Sequence, residues 1–462
     1  MKSIPTNNQS LDRFIDDNIT EKVSLKTNGK NHVGFSDPAF ASNKTQPIHR
    51  WVPWIAGFSK KFVNDSISRY IDGKGTILDP FAGVGTTLVE SHITGNNSIG
   101  FEINPYAYFA CKTKINSLHI DEERFNAEIE RFSAFYLSNL NSDYCTQSKE
   151  PQGFKTRIQF YSPKVLHKVL ILMDFIQTID DPHIADLFKL AFTSTMVKYS
   201  NYSYEPSLGT RRGSGKADID DYDVRDVTIQ KLQEFLKDIA WIKKTASNDR
   251  NLTSEIINDS FFNYKKHLSK KTVDLIITSP PYLNNYHYNR NTRPQIYWLG
   301  FARSPADMKP LEEANFGNFW QTVRGREEIP LAFDVPEIDL VEKLDQIKKI
   351  NPEKGVYGGK GWANYAASYF NDCYRFSKGI EYSLKDGGTA LVVIGNSILQ
   401  GITIPTDEYF AKITESVGLE IVEIHIPRFK RIGNSIIQSE VRVSKPTKGH
   451  RLYEAIVELR KP

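Results

Sequence analysis

Apolar residues along the chain fall into short runs that alternate with longer stretches of helical spacing. The clearest run is Val273–Ile277, which is mostly β-branched or apolar, as expected of a strand buried on both faces of a parallel sheet. Further runs of this kind end near Leu78, Phe101, Ile257 and Ile394. The pattern predicts an α/β fold built on a mostly parallel sheet.

The last part of the chain and its middle show two other patterns. Leu419–Ile426 and Leu452–Leu459 alternate apolar and charged residues, which is typical of an antiparallel pair of strands at a sheet edge. Helical spacing dominates the stretch between the early and late strands, in the segments Phe125–Leu140, Val165–Ile179, Ile184–Val197 and Ile229–Ile242.

These patterns divide the chain into a discontinuous core and its insertions. The first 44 residues are polar and have little periodicity, which favours a flexible tail. The predicted segments are a tail at 1–44, core at 45–116, a mainly helical insertion at 117–252, core at 253–290, an irregular insertion at 291–364 and core at 365–462.

A glycine-containing turn, within Gly75–Leu88, follows the first predicted strand. Gly83 and Gly85 would let the backbone approach a ligand closely where a side chain would collide. A helix begins at Thr86–Thr87. The third glycine of the dinucleotide fingerprint is missing, because Leu88 stands there, and this argues against a dinucleotide cofactor.

The next predicted strand ends at an acidic residue, Glu102, which stands 17 residues after Gly85. A carboxylate at this position can accept hydrogen bonds from both hydroxyls of a ribose. The alternative is a simple solvated cap of the strand.

The run Val273–Ile277 ends in the turn Thr278-Ser279-Pro280-Pro281-Tyr282. The two prolines stop the strand abruptly, because neither can donate a ladder hydrogen bond. Ser279 and Tyr282 are therefore presented on a stiff backbone at the carboxyl end of a central strand, where ligands bind in open α/β sheets. A merely rigid turn is the alternative interpretation.

Taken together, the two motifs resemble those of the amino-methyltransferases, which methylate exocyclic amines of DNA bases with S-adenosylmethionine. Asp79–Thr86 is similar to their cofactor motif, and Ser279–Tyr282 is similar to the catalytic motif of the branch that makes N4-methylcytosine. The resemblance covers roughly 47–116, 253–290 and 365–460. It implies the Rossmann-like class I methyltransferase fold, a mostly parallel seven-stranded sheet with a C-terminal antiparallel hairpin.

The resemblance also implies a cofactor site. In it, Asp79 would meet the cationic amino-acid end of S-adenosylmethionine, Glu102 its ribose and Asp259 its adenine amine. The segment around Phe58 and Ser59 would line the methionine end, with a plain covering helix as the alternative. The predicted cofactor-binding residues are Phe58, Ser59, Asp79, Pro80, Phe81, Ala82, Gly83, Gly85, Thr86, Thr87, Glu102, Ile103, Asp259 and Ser260.

The predicted catalytic residues are Ser279, Pro280, Pro281 and Tyr282. An exocyclic amine is a poor nucleophile because its lone pair is delocalised into the ring. The Ser279 hydroxyl and the Pro280 carbonyl would accept the two amine hydrogens and free that lone pair. A base inside a duplex must first be flipped out, which costs free energy of unstacking and unpairing. Stacking of the flipped base on Tyr282 would offset roughly 1–3 kcal/mol of that free energy.

Two basic segments with aromatic residues suit contact with phosphates and bases. One is the glycine-rich loop Gly209–Lys216, and the other is Leu283–Arg293, which follows the catalytic turn. A solvated loop is the alternative for the first, and the pattern leaves open which insertion reads sequence. The predicted DNA-binding residues are Arg211, Arg212, Tyr286, Tyr288, Arg290 and Arg293.

Composition narrows the alternatives further. Of the 462 residues, 40% are hydrophobic and 25% charged, and no apolar run is long enough to span a membrane. The start lacks an apolar signal core, so we expect a cytoplasmic protein. The net charge of +4 permits nucleic-acid binding without requiring it. The three cysteines are isolated, which gives no metal site, and none follows a proline as in cytosine C5-methyltransferases.

The sequence therefore predicts a DNA cytosine-N4 methyltransferase that uses S-adenosylmethionine and duplex DNA, alongside a restriction endonuclease acting on the same sequence. The serine of the catalytic motif favours cytosine N4, because the adenine-N6 branch more often carries Asp or Asn there. Adenine N6 is the runner-up. Methylation of RNA and a non-catalytic nucleic-acid-binding protein are the alternatives of another class.

Overall fold

The computed structural model describes residues 35–54, 59–140, 142–204, 207–247, 249, 251–283, 288–430 and 452–462. The strands are β1 (Thr76–Asp79), β2 (Asn97–Phe101), β3 (Tyr202–Tyr204), β4 (Leu208–Thr210), β5 (Ser254–Ile257), β6 (Val273–Thr278), β7 (Leu384–Gly395), β8 (Ser397–Leu399), β9 (Ile402–Ile404), β10 (Glu420–Lys430) and β11 (Leu452–Arg460).

The α-helices are α1 (Lys60–Tyr70), α2 (Thr86–Ile93), α3 (Pro105–Asn116), α4 (Glu122–Leu140), α5 (Pro163–Gln177), α6 (Pro182–Thr195), α7 (Val224–Thr245), α8 (Tyr264–His267), α9 (Tyr288–Asn291), α10 (Arg293–Trp298), α11 (Pro305–Glu313), α12 (Trp320–Val323), α13 (Leu340–Lys348), α14 (Gly359–Ser383) and α15 (Thr406–Glu415). Short 3₁₀ helices span Phe40–Thr45, His49–Trp51, Ser117–His119, Arg212–Ser214, Phe261–Asn263 and Pro352–Tyr357.

Seven strands form one sheet in the order β10-β11-β7-β6-β1-β2-β5. The five strands from β7 to β5 run parallel, and β11 pairs antiparallel with both β7 and β10. This topology confirms the predicted α/β, Rossmann-like class I methyltransferase fold. The chain winds outward from β1 in one direction and then from β6 in the other, so the topological switch point lies between these two strands. Ligands of open α/β sheets bind at the carboxyl ends of the strands at such a point.

The central strands are apolar on both faces because each face is covered by helices. Ile77 and Leu275 enter one apolar cluster, which α1 covers with Phe62. The next residues along the same strands, Leu78 and Ile276, enter a second cluster formed largely with α14 and α15. Burying each such side chain stabilises the fold by about 1.5–3 kcal/mol.

The insertion between β2 and β5 is mainly helical and has an apolar cluster of its own. Phe132, Phe175 and Phe188, from α4, α5 and α6, lie with their ring centroids 5.2–5.8 Å apart. The hairpin of β3 and β4 also belongs to this insertion. Among the described residues, no helix is both long and apolar enough to cross a membrane.

Two predicted segments differ from the structure in their secondary structure or packing. Residues 291–364 contain four short helices, α10 to α13, where the sequence pattern indicates irregular chain. The helices are only four to nine residues long, so their periodicity is too brief to recognise. Part of the predicted tail also packs on the core, since the ring of Phe35 lies 5.9 Å from that of Phe62.

Candidate active site

A cleft of about 720 Å³, part of it open to solvent, lies at the carboxyl ends of β1, β2, β5 and β6. Its walls combine the cofactor motif, the ends of the next two strands and the catalytic turn. The predicted site residues that line it are Pro80, Phe81, Gly83, Glu102, Ile103, Asp259, Ser260, Ser279, Pro281 and Tyr288. The fold thus brings together, in one cavity, two motifs that are far apart in the sequence.

Asp79 is buried at the end of β1 and joins the two motifs from behind the cleft. Its carboxylate accepts hydrogen bonds from Thr87 Oγ1 at 2.6 Å and from Thr278 Oγ1 at 2.8 Å. Burial raises the pKa of this carboxyl to about 6, although the hydrogen bonds act in the opposite direction. Asp79 therefore fixes the cofactor loop to the catalytic strand, and its contact with S-adenosylmethionine stays a prediction.

Glu102 lines the cleft at the end of β2. Each oxygen is held by a backbone amide, since Gly83 N donates to Oε2 at 2.9 Å and Asn104 N donates to Oε1 at 2.7 Å. Burial raises the pKa of the carboxyl to about 7. Each oxygen keeps a lone pair for a further donor, as a ribose would supply with two hydroxyls.

Asp259 lines the cleft after β5. It accepts hydrogen bonds from Asn263 Nδ2 at 2.8 Å and interacts with His267 Nε2 at 2.9 Å. Burial alone would raise the pKa of Asp259, but these hydrogen bonds outweigh it and lower the pKa. Ser260 lines the cleft beside it, and its Oγ accepts from Phe262 N at 3.3 Å.

The two glycines of the cofactor loop have different roles. Gly83 lines the cleft, and a Cβ there would lie 3.1 Å from Trp54 Nε1. Gly85 does not line the cleft, and a Cβ there would lie 2.5 Å from the sulfur of Cys111. Gly85 therefore makes room for helix α3, and the close approach of a ligand at Gly83 stays a prediction.

Several other predicted cofactor residues lie behind the lining. Ala82, Thr86 and Thr87 are buried under the loop and do not line the cleft. Ser59 caps α1 by accepting from Phe62 N at 3.2 Å, and its hydroxyl donates to the carbonyl of Asp37. Phe58 lies outside the described residues.

The walls of the cleft fit a nucleoside that carries an amine. Trp54, Phe81, Phe262 and Phe316 provide aromatic surface, and the rings of Phe262 and Phe316 lie stacked at 6.0 Å. The carboxylates of Glu102 and Asp259 provide acceptors for hydroxyl and amine hydrogens. This combination of aromatic surface and hydrogen-bond acceptors suits the adenosine part of S-adenosylmethionine.

Comparison with known proteins agrees with this chemistry. The family model for N6- and N4-methyltransferases, described as DNA methylase, matches residues 15–112, which contain the cofactor motif. The chain is 26% identical over 442 residues to the type II methyltransferase M.BsoBI of Geobacillus stearothermophilus, covering 86% of this chain and 83% of that protein. It is 24% identical over 414 residues to the type II methyltransferase M.AvaI of Nostoc sp., covering 84% and 82%. These matches support the DNA amino-methyltransferase family for this chain. Its methyl donor is S-adenosylmethionine.

In this methyltransferase the catalytic turn is held by contacts from two elements, α14 and β11. Ser279 lines the cleft, while Pro280 is buried beside it. The carbonyl of Pro281 accepts a hydrogen bond from Tyr369 Oη of α14 at 3.1 Å. Tyr282 Oη donates to Glu454 Oε1 of β11 at 2.9 Å. The turn is therefore rigid beyond what its two prolines impose.

Glu454 is a site residue that sequence reasoning missed. It is buried, and besides Tyr282 it binds Arg428, whose Nε donates to Oε2 at 2.6 Å. Burial and the charge of Glu454 raise the pKa of the Tyr282 hydroxyl well above its ordinary value, although a hydrogen bond from Ser279 acts in the opposite direction. No local signal marks Glu454, because its partner stands 172 residues earlier.

Asn104 was also missed as a site residue. Its Oδ1 accepts from the amides of Tyr106 and Ala107 and so caps α3. Its Nδ2 donates to Asn289 Oδ1 at 3.0 Å and to Thr292 Oγ1 at 2.8 Å. The Asn-Pro start of a helix predicts the cap, but only the fold shows that Asn104 joins the end of β2 to the segment after the catalytic turn.

The predicted DNA-binding residues separate into three groups. Tyr288 lines the cleft and stacks on Trp54, with ring centroids 5.9 Å apart. Arg290 and Arg293 line a second groove together with the loop that follows β3. Arg212 and Arg211 already have partners within the protein, since Arg212 pairs with Asp218 and Arg211 Nε donates to the carbonyl of Ala217. Tyr286 lies outside the described residues.

Proposed function

We propose that this DNA methyltransferase transfers a methyl group to the N4 amine of a cytosine flipped out of duplex DNA. The observation that carries the proposal is the shared cleft, in which Ser279 of the Ser-Pro-Pro-Tyr motif faces the same cavity as Glu102 and Asp259. The serine is the residue that favours cytosine, because the adenine branch more often carries Asp or Asn at this position.

The residues of the turn can prepare an exocyclic amine for attack. The Tyr282 hydroxyl donates a hydrogen bond to Glu454, so the lone pairs of the tyrosine oxygen can accept one from the Ser279 hydroxyl. This arrangement leaves the lone pairs of Ser279 Oγ for one amine hydrogen, and the Pro280 carbonyl would accept the other. Holding both hydrogens draws the nitrogen towards tetrahedral geometry and frees its lone pair.

S-adenosylmethionine supplies an electrophilic methyl group when it is bound. Once the amine carries that methyl group it is cationic and sheds a proton readily, so the turn needs no strong general base. Phe81 and Phe316 give the cleft apolar wall surface beside the reacting groups.

The relatives add a biological setting to the proposal. M.BsoBI and M.AvaI are both named as type II methyltransferases. We therefore propose that this enzyme protects DNA within a restriction–modification system, next to an endonuclease that cuts the same sequence.

The base assignment is tested by supplying plasmid DNA and methyl-labelled S-adenosylmethionine to the purified enzyme, and then separating the nucleosides of the digested product by mass. We expect the label in N4-methyldeoxycytidine. Label in N6-methyldeoxyadenosine would instead establish the runner-up, adenine N6. Label in added RNA but not in duplex DNA would reject both.

A further inference from the structure

A basic groove lies outside the active-site cleft and is built from three stretches far apart in the sequence. These are Phe154–Phe160, the loop at Ser207–Ser214 and the start of the segment Arg290–Pro294. Its cationic side chains are Lys155, Arg157, Arg290 and Arg293. Among the residues that the structure describes, no acidic side chain lines it.

Three of these cations are available to an outside partner. Lys155, Arg157 and Arg290 are exposed, and none of them forms an ion pair with a described residue. Arg212 belongs to the stretch Ser207–Ser214 but does not line the groove, and Asp218 already pairs with it. The groove thus concentrates positive charge with which no acidic side chain among the described residues forms an ion pair.

The groove is also held in shape before any partner arrives. Arg293 Nη2 donates to the carbonyl of Lys155 at 2.9 Å, and the guanidinium lies 5.8 Å from the ring of Phe154. The amide of Leu208 donates to Asn291 Oδ1 at 2.7 Å, which ties the loop to α9. Arg293 is therefore positioned before a partner binds, and a side chain positioned in advance loses less conformational entropy on binding.

One glycine of the loop has no structural requirement that explains it. A Cβ on Gly209 would meet no atom closer than 3.9 Å, and the residue does not have a positive φ. A missing side chain at this point lets an external backbone approach the main chain of the groove. The hydroxyls of Ser207 and Thr210 also line the groove and can donate hydrogen bonds to a partner.

A single short helix contributes residues both to the active-site cleft and to the groove. Tyr288, which lines the cleft, and Arg290, which lines the groove, belong to the same short helix α9. A duplex that delivers a base to the cleft would therefore pass its flanking backbone close to these cations.

We propose that the basic groove binds the phosphate backbone of duplex DNA beside the flipped base, chiefly by charge and without reading sequence. This inference rests on the proposed function, since it assumes a DNA target in the cleft. It assigns to Lys155 and Arg157 a role that their own stretch of sequence does not indicate. Arg290 shares that role.

The test is the salt dependence of duplex binding by the variant Lys155→Ala/Arg157→Ala. Each lost phosphate contact lowers the slope of log affinity against log salt by about 0.9, so we expect a slope smaller by about 2. Affinity for specific and for unrelated duplexes should fall alike, by roughly 5- to 30-fold. Affinity for S-adenosylmethionine should not change, which also reports that the variant is folded.

The control is Lys266→Ala/Lys270→Ala, which removes two exposed charges from the segment that precedes β6. It should bind duplex DNA as the unaltered protein does. An unchanged slope in the groove variant, or an equal loss in both variants, would overturn the groove assignment. Failure of the unaltered protein to methylate any DNA would instead reject the proposed function, so the two failures are distinguishable.

Discussion

The packing of Gly85 against Cys111 gives the sharpest prediction about the cofactor loop. Gly85 has φ 86° and ψ 32°, in the left-handed region, and a Cβ there would lie 2.5 Å from Cys111 Sγ. Alanine in that backbone conformation costs roughly 1–2 kcal/mol. Forcing the overlap into a packed interior costs typically about 1–3 kcal/mol more. Gly85→Ala should therefore destabilise the protein by roughly 2–5 kcal/mol.

Two further variants separate the parts of this cost. Gly73 also has a positive φ, of 79°, but a Cβ there would meet nothing within 4 Å, so Gly73→Ala should show the backbone cost alone. Cys111→Ala removes the sulfur atom with which the new Cβ of Gly85→Ala would overlap. The double variant should therefore be more stable than the sum of the single changes predicts, by roughly 1–3 kcal/mol.

The assay is urea denaturation of the full chain followed by circular dichroism, with the affinity for S-adenosylmethionine measured in parallel. Strictly additive free energies for the changes at Gly85 and Cys111 would refute the packing argument. So would a Gly85→Ala protein of normal stability that only binds S-adenosylmethionine less well, because that result would give Gly85 the ligand-facing role.

The other predictions concern the carboxylates and the catalytic turn. Burial raises the pKa of Glu102 to about 7 and that of Asp79 to about 6, so the folded protein binds these protons more tightly than the unfolded chain does. The free energy of unfolding should therefore fall as pH rises from about 4 to 7. The thermal midpoint should fall less over this range in Glu102→Gln, and an equal dependence of the midpoint on pH in both proteins would contradict the assignment. Glu454→Gln should lower kcat for methylation at unchanged affinity for S-adenosylmethionine, because the amide can donate to Tyr282 and disturb the orientation of its hydroxyl; a lower affinity with normal kcat would argue against this role. Ser279→Ala should likewise lose single-turnover methylation while it keeps cofactor binding, and normal turnover in that variant would reject the amine-holding role.

The chemistry at the strand ends could be predicted from the sequence because its signals are local. The prolines after Thr278 stop β6 wherever the strand lies in the fold, and the acidic residue Glu102 follows its strand directly. Parallel strands then place both residues at one edge of the sheet. Local sequence therefore predicts the cleft, although not its full lining.

Contacts between distant residues could not be predicted in this way. Glu454 and Cys111 each have an effect only through a partner that the fold brings near, Tyr282 in one case and Gly85 in the other. The same limit applies to Lys155, which lies in a stretch without clear periodicity and becomes part of a basic groove only beside Arg293. A single sequence records none of these pairings.

The central claim is that the cofactor and the reacting amine share the cleft between β1 and β6. The most direct measurement is a crystal structure with S-adenosylhomocysteine. We predict the ribose hydroxyls on Glu102, the adenine beside Asp259 and the sulfur towards Ser279. A ligand bound outside this cleft, or one whose sulfur faces away from Ser279, would contradict the account.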